Sequence, residues 1–243
     1  MADHFLYPDV AAAGDLRVLL QRAFDGAGIP LRVGPEQTPG RVSVEAGDRS
    51  ATVSTATSSR AFLIQLWTRT VQMAYGSIDT PDRAAAAIGM FLSGVPLRRL
   101  TSAWPFLTFT GFAEAFERGE PYAIAFRWQE YLDISSTRSL PLLNLHAFLL
   151  AASTEPRLRA LFPFTSHADL GFRRQVSDPA SRSLAWVRPH GEGRYLVTGP
   201  HRARLGRPGP IRTPDLGPVP GALGPAGPGE SVTLVLRAMA EPG

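Results

Sequence analysis

The feature that most limits what this chain can fold into is a change of hydrophobic period along its length. Leu31–Val33, Arg41–Ala46 and Ser50–Ser54 alternate apolar and polar residues, the two-residue period of strands. From Thr80 to Phe162 the spacing becomes helical, with prolines and glycines punctuating it. After Pro163 the strand signal returns. The expected class is α+β, with an N-terminal helix and antiparallel β meander, a central helical region, and C-terminal antiparallel strands with a long Pro/Gly-rich loop.

The boundaries follow from local chemistry. Asp15–Ala27 carries Leu16, Leu19, Leu20, Ala23 and Phe24 at amphipathic spacing, with Asp15 as cap and Gly26 and Gly28 as stops. Ala46-Gly47-Asp48-Arg49 reads as a hairpin turn, and Arg60–Met73, rich in Ile, Leu, Trp, Thr and Val, extends the meander. Thr80-Pro81-Asp82 offers a cap, a first-turn proline and a dipole-matching acid ahead of Ala84–Leu92, which Gly94 ends. Pro96–Ala103 reads as a short helix and Trp104-Pro105-Phe106 as a corner. Thr110 caps Gly111–Arg118, while Pro121, Pro141 and Pro156 open helices to Leu132, Ser153 and Phe162. Leu170–Val176 is then a strand, and Leu184–Val187 pairs with Arg194–Thr198 across His190-Gly191-Glu192-Gly193. Gly199–Gly229 is dense in Pro and Gly and reads as an irregular wrap, and Ser231–Arg237 as a closing strand. The whole is expected as a single α+β domain over 1–243, mainly β to about residue 78, helical over 79–163, and β with the wrap over 164–243.

Composition narrows the chemistry. Hydrophobic residues make up 44% and charged residues 19%, too apolar for a disordered chain. No apolar run reaches the roughly 20 residues that cross a bilayer, and Met-Ala-Asp-His-Phe lacks the basic start and apolar stretch of a signal peptide. The expectation is a cytoplasmic protein with no membrane partner. There is no cysteine, which excludes disulfides, thiolate nucleophiles and cysteine-bound zinc. All 25 basic residues are arginine, which excludes lysine Schiff bases and a P-loop lysine. The charge is uneven: Gly171–Arg212 holds nine Arg against Asp178 and Glu192, whereas the rest holds 16 Arg against 19 acids. A basic third of this kind suits an anionic partner or a set of solvated strand edges and loops.

The familiar catalytic signatures are missing: no GxSxG, no HExxH, no EF-hand loop, no GxGxxG after a strand. The five histidines have no metal-ligand spacing, so neither metal nor cofactor is expected. The segment with most chemistry is Leu161–Leu170, where Thr165, Ser166, His167 and Asp169 lie within five residues. An imidazole titrating near about 6.5 moves protons at neutral pH, and Arg173 and Arg174 would stabilise developing negative charge. The bland alternative is that Thr165 or Ser166 caps a turn and His167 bonds to backbone. His146 lies among apolar helix neighbours, as core histidines do. Trp104 belongs with Phe106, Phe109, Phe112 and Phe116 to core or to a stacking platform. Arg127-Trp128 would line a peptide groove or form a cation–π pair. Arg-rich sequence with Trp186 and Tyr195 interleaved has no nucleic-acid-binding motif beside it, so nucleic acid is not the expected partner.

Leu161–Leu170 followed by Gly171-Phe172-Arg173-Arg174, with Tyr7-Pro8-Asp9-Val10 and Trp104-Pro105-Phe106, resembles an actinobacterial family of uncharacterised natural product biosynthesis proteins. The resemblance implies an accessory or tailoring role beside ribosomal-peptide pathways. In its most concrete form it implies a stand-alone, metal-independent cyclase similar to those of class V lanthipeptide systems, adding a Cys thiol to a dehydroamino acid. A thiol titrating near about 8.5 needs a base, and the enolate formed needs donors and a proton. His167 would be the base, Arg173 the enolate stabiliser, and His146 or Tyr131 the acid, with Thr165, Ser166, Arg174, Arg127, Trp128 and Trp104 binding the peptide. The competing expectation is a non-catalytic protein that holds a precursor peptide or a partner enzyme, its basic third gripping an acidic leader and a strand edge adding one more strand.

Overall fold

Alternation with one wet face builds the first sheet. In the computed structural model, which describes residues 5–36, 38–133, 140–166, 168–177, 183–200 and 222–240, five antiparallel strands follow one another in sequence order. They are preceded by two helices, α1 (Pro8–Ala13) and α2 (Leu16–Gly26). The strands are β1 (Arg41–Ala46), β2 (Arg49–Thr55), β3 (Phe62–Thr68), β4 (Val71–Ile78) and, after α3 (Pro81–Leu92) and α4 (Leu97–Ala103), the two-residue β5 (Leu107–Thr108). Helix α5 (Gly111–Arg118) closes this unit. Val42, Val44, Ala51, Val53, Phe62, Ile64 and Leu66 are the alternate residues of their strands and all are buried. Their alternate neighbours are partly or fully exposed, as one-sided antiparallel sheets require.

Local chemistry fixes the helix positions. Asp15 Oδ1 accepts the Val18 N–H at 2.6 Å, and Thr110 Oγ1 accepts the Ala113 N–H at 3.1 Å. Thr80 precedes α3, but its hydroxyl makes no capping bond and is buried, so Pro81 and Asp82 carry that start. Gly76 has a positional reason: a Cβ there would lie 2.1 Å from the Phe106 carbonyl oxygen, and its absence lets the Trp104–Phe106 corner press on β4. Arg60–Met73 is two strands rather than one stretch, turning at Arg69-Thr70. Leu31–Val33 is not a strand. It contributes one bridge, Val33 to Val44, which with the Thr38–Arg41 bridge covers part of the β1 edge.

The chain gathers into two compact units, 1–118 and 119–243, dividing within the region read from sequence as helical. The second begins with α6 (Glu120–Leu132), α7 (Leu140–Ser153) and α8 (Pro156–Arg159). Its sheet has the order β10-β9-β8-β7-β6, all antiparallel. These strands are β6 (Phe162–Ser166), β7 (Asp169–Arg173), β8 (Trp186–Pro189), β9 (Tyr195–Thr198) and β10 (Leu223–Ala226), and α9 (Pro228–Ala240) ends the unit. Two expectations are corrected. The helix opened by Pro156 stops at Arg159, and Phe162 starts an edge strand that tolerates Pro163 because an edge can lack a ladder donor. Ser231–Arg237 is helical: Val232, Val235 and Ala238 are buried at three-residue spacing, which no strand face provides. Most of the Pro/Gly-rich wrap, 201–221, lies outside the described residues. Among the described residues no helix is long and apolar enough to cross a membrane.

Candidate functional site

Antiparallel register decides which side chains of the second sheet can meet. Phe162 stands opposite Arg173, Phe164 opposite Gly171, Ser166 opposite Asp169, and Gly171 opposite Trp186 on β8. Opposed residues share a face and successive residues alternate, so the sheet has two distinct sides. One side is core. Leu170, Phe172, Val187 and Val197 are fully buried there, and Phe172 packs against Trp128 of α6 and Phe148 of α7 at ring distances of 6.2 and 6.4 Å. Tyr195 adds to it from β9, 5.6 Å from Phe148, with burial holding its phenol above the ordinary tyrosine range.

The opposite side carries cations and aromatic rings. Phe164 and Trp186 meet edge-on at 5.1 Å and 76°, an orientation that ring quadrupoles favour. Gly171 makes that contact possible, since a Cβ there would stand 2.6 Å from Phe164 Cζ and 3.0 Å from Trp186 Cζ3. The Arg173 guanidinium lies 3.9 Å from the Phe164 ring centroid, and its Nε is buried with no hydrogen-bond acceptor among the described residues. Two residues along β8 from Trp186, Arg188 donates from Nε and Nη2 to both oxygens of Asp169, at 2.8 and 2.7 Å. That carboxylate is 2% exposed, and its hydrogen bonds outweigh burial in holding the proton on Arg188 more firmly than usual. The strip therefore reads, in order, a neutralised ion pair, an aromatic pair, and an arginine with no ion-pair partner among the described residues.

A smaller cluster lies along α6 and β6. The Tyr131 hydroxyl is 3.4 Å from Thr165 Oγ1. Arg127 sits 5.7 Å from the Tyr131 ring and 5.6 Å from the Phe162 ring, with Nη1 donating to Glu130 at 2.9 Å. Trp128 is fully buried, and its indole N–H donates to the Leu161 carbonyl at 2.9 Å, which places it in the core. Arg159 lies over the same indole at 5.3 Å.

Of the residues singled out from sequence, Arg173, Thr165, Tyr131 and Arg127 gather around the β6–β7 hairpin. Ser166 is partly exposed at the end of β6, and Arg174 is exposed just beyond β7. His167 lies outside the described residues, as do Arg182, Arg202, Arg204, Arg207 and Arg212 of the basic stretch. His146 is partly exposed on α7, whose Leu143 and Leu150 face outward. Trp104 belongs to the first unit, where it packs 6.0 Å from Phe106. Among the described residues no three His, Asp or Glu side chains converge as a metal site would need. Sequence reading passed over Phe164 and Gly171 because cross-strand partnership is invisible without register. The signal that was available is the alternation Phe162, Phe164, Ser166 facing Asp169, Gly171, Arg173 on the next strand.

In class, then, the second unit is an antiparallel sheet with helices over its core side and an arginine–aromatic strip on the other. A family model described as a family of unknown function (DUF6193) matches residues 122–215, which runs from within α6 past β9 and so takes in the whole strip. No curated protein and no solved structure matches the chain.

Proposed function

We propose that this protein is a binding or accessory component of peptide natural-product biosynthesis, holding an acidic stretch of a precursor peptide or partner enzyme on its second unit. The observation that supports this reading is Arg173, stacked on Phe164 with no counter-ion among the described residues. A guanidinium fixed against a ring has surrendered much of its rotamer freedom before a ligand arrives, which lowers the entropic cost of capture. Charge distribution agrees with it. In residues 119–243 fourteen Arg face ten acids, whereas in 1–118 eleven Arg are balanced by eleven acids.

The second reading is the cyclase, and the contact of the Tyr131 and Thr165 hydroxyls two residues before His167 favours it. In that reaction the peptide thiolate adds to the β-carbon of the dehydroamino acid, and the α-carbon then takes a proton, so the peptide mass does not change. The test incubates a dehydrated, Cys-containing precursor with substoichiometric protein and counts remaining thiols by alkylation and mass spectrometry. The binding role predicts unchanged thiols together with a stoichiometric, salt-sensitive complex. Thiol loss over many turnovers would displace it in favour of the cyclase.

A further inference from the structure

The order of charges along the strip carries a more specific conclusion, which rests on the binding role proposed above. Trp186 has an arginine toward each end of its face, but the two are not equivalent. Arg188 is committed to both oxygens of Asp169, a carboxylate shielded from solvent. Arg173 has its Nε buried without an acceptor among the described residues and its guanidinium carbon 3.9 Å from the Phe164 ring centroid, which leaves the Nη pair as the donors for a ligand. Between them the indole of Trp186 is partly exposed and locked edge-on to Phe164. A ligand along this face meets a satisfied ion pair, then an apolar ring, then an arginine with no counter-ion among the described residues.

We infer that this strip is a site for an acidic–apolar residue pair of a peptide, the carboxylate forking onto Arg173 and the neighbouring apolar or aromatic side chain lying on Trp186. The polarity is fixed: because Asp169 neutralises Arg188 and would repel a second carboxylate, the acid goes to the Arg173 end. Gly171 is the positioning residue, since any side chain there would separate the two rings that hold Arg173 and Trp186 in place. A peptide suits the strip better than a nucleic acid. One arginine on the strip answers one carboxylate, whereas an oligonucleotide draws its affinity from a row of phosphate contacts.

The experiment measures fluorescence anisotropy of a fluorescein-labelled, twelve-residue Gly/Ser peptide carrying a Glu-Phe pair, with the full-length protein. Binding is expected, weakened about tenfold or more by R173Q, by G171A, and by Glu→Gln in the peptide, as loss of a charged hydrogen-bonding pair implies. R98Q, at an exposed arginine of the first unit paired with Glu114, should leave it unchanged. The peptide's own Glu→Gln change cannot affect folding of the protein, so it decides the matter even if a protein variant folds poorly. If acidic peptides bind but neither R173Q nor the peptide change matters, this site is wrong while the general binding role stands. If no acidic peptide binds at all, both fail. Tighter binding of a labelled twelve-nucleotide single strand than of the peptide would also overturn the site.

Discussion

Two buried side chains show how single residues hold each unit together. The Tyr7 hydroxyl accepts the Ala61 N–H at 3.0 Å and has the carbonyls of Ala56, Ser59 and Ala61 within 3.0 Å, so one phenol organises the whole 56–61 turn. With a single proton it donates to one carbonyl at a time. Tyr7→Phe leaves the Ala61 amide without its acceptor and should cost about 1–3 kcal/mol, read as a lower urea midpoint with unchanged slope. In the second unit Trp128 fills the space between α6 and the sheet and bonds Leu161. Trp128→Ala removes that volume and the bond, and should cost about 3–5 kcal/mol by the same measurement.

At the scale of elements, α9 makes the sharpest test. Val235 is buried and Thr233 exposed, although in a strand both would point to the same side. Val235→Ala should therefore destabilise by about 1.5–3 kcal/mol, while Thr233→Ala should stay within about 0.5 kcal/mol; equal effects would restore the strand. The α1–β3 junction makes a pH test. Arg60 grips both oxygens of Asp9 at 2.7–2.8 Å, and its hydrogen bonds hold that carboxyl below the ordinary aspartate value of 3.8. A carboxyl depressed in the folded state adds stability above its unfolded value and loses it as pH falls through the folded one. Wild type and Asp9→Asn should thus differ near neutrality and converge below pH 3.8. With side chains 35% and 30% exposed the difference is modest, below about 1 kcal/mol. Elements legible in the sequence share one property, a single wet face: β1 and β2 alternate cleanly because one side packs on the core. β7 was legible in the Leu170–Val176 reading, but β6 was hidden because Phe162 and Pro163 are both buried, which erases alternation, and because the proline discouraged a strand. In α9 the order Val-Thr-Leu-Val-Leu imitates a strand, while Pro228 and Glu230, a first-turn proline and acid, were the start signal. The candidate site was legible as residue types at Thr165 and Arg173. Its aromatic half was not, because β8 reaches Gly171 from fifteen residues downstream.

Across the whole molecule, charge is apportioned differently between the units. The balanced first unit and the positive second predict that captured acidic peptide is released as ionic strength rises from about 0.05 to about 0.5 M, the range over which exposed charges become screened. Retention on an immobilised acidic peptide measures this directly, and salt-insensitive retention would point to an apolar grip instead. The four tryptophans are spread as Trp67 and Trp104 in the first unit and Trp128 and Trp186 in the second, where Trp128 is enclosed and Trp186 lies on the strip beside Arg173. The molecule thus carries a built-in optical reporter: occupancy of the strip should shift native indole emission without any dye, and Trp186→Phe should silence that shift.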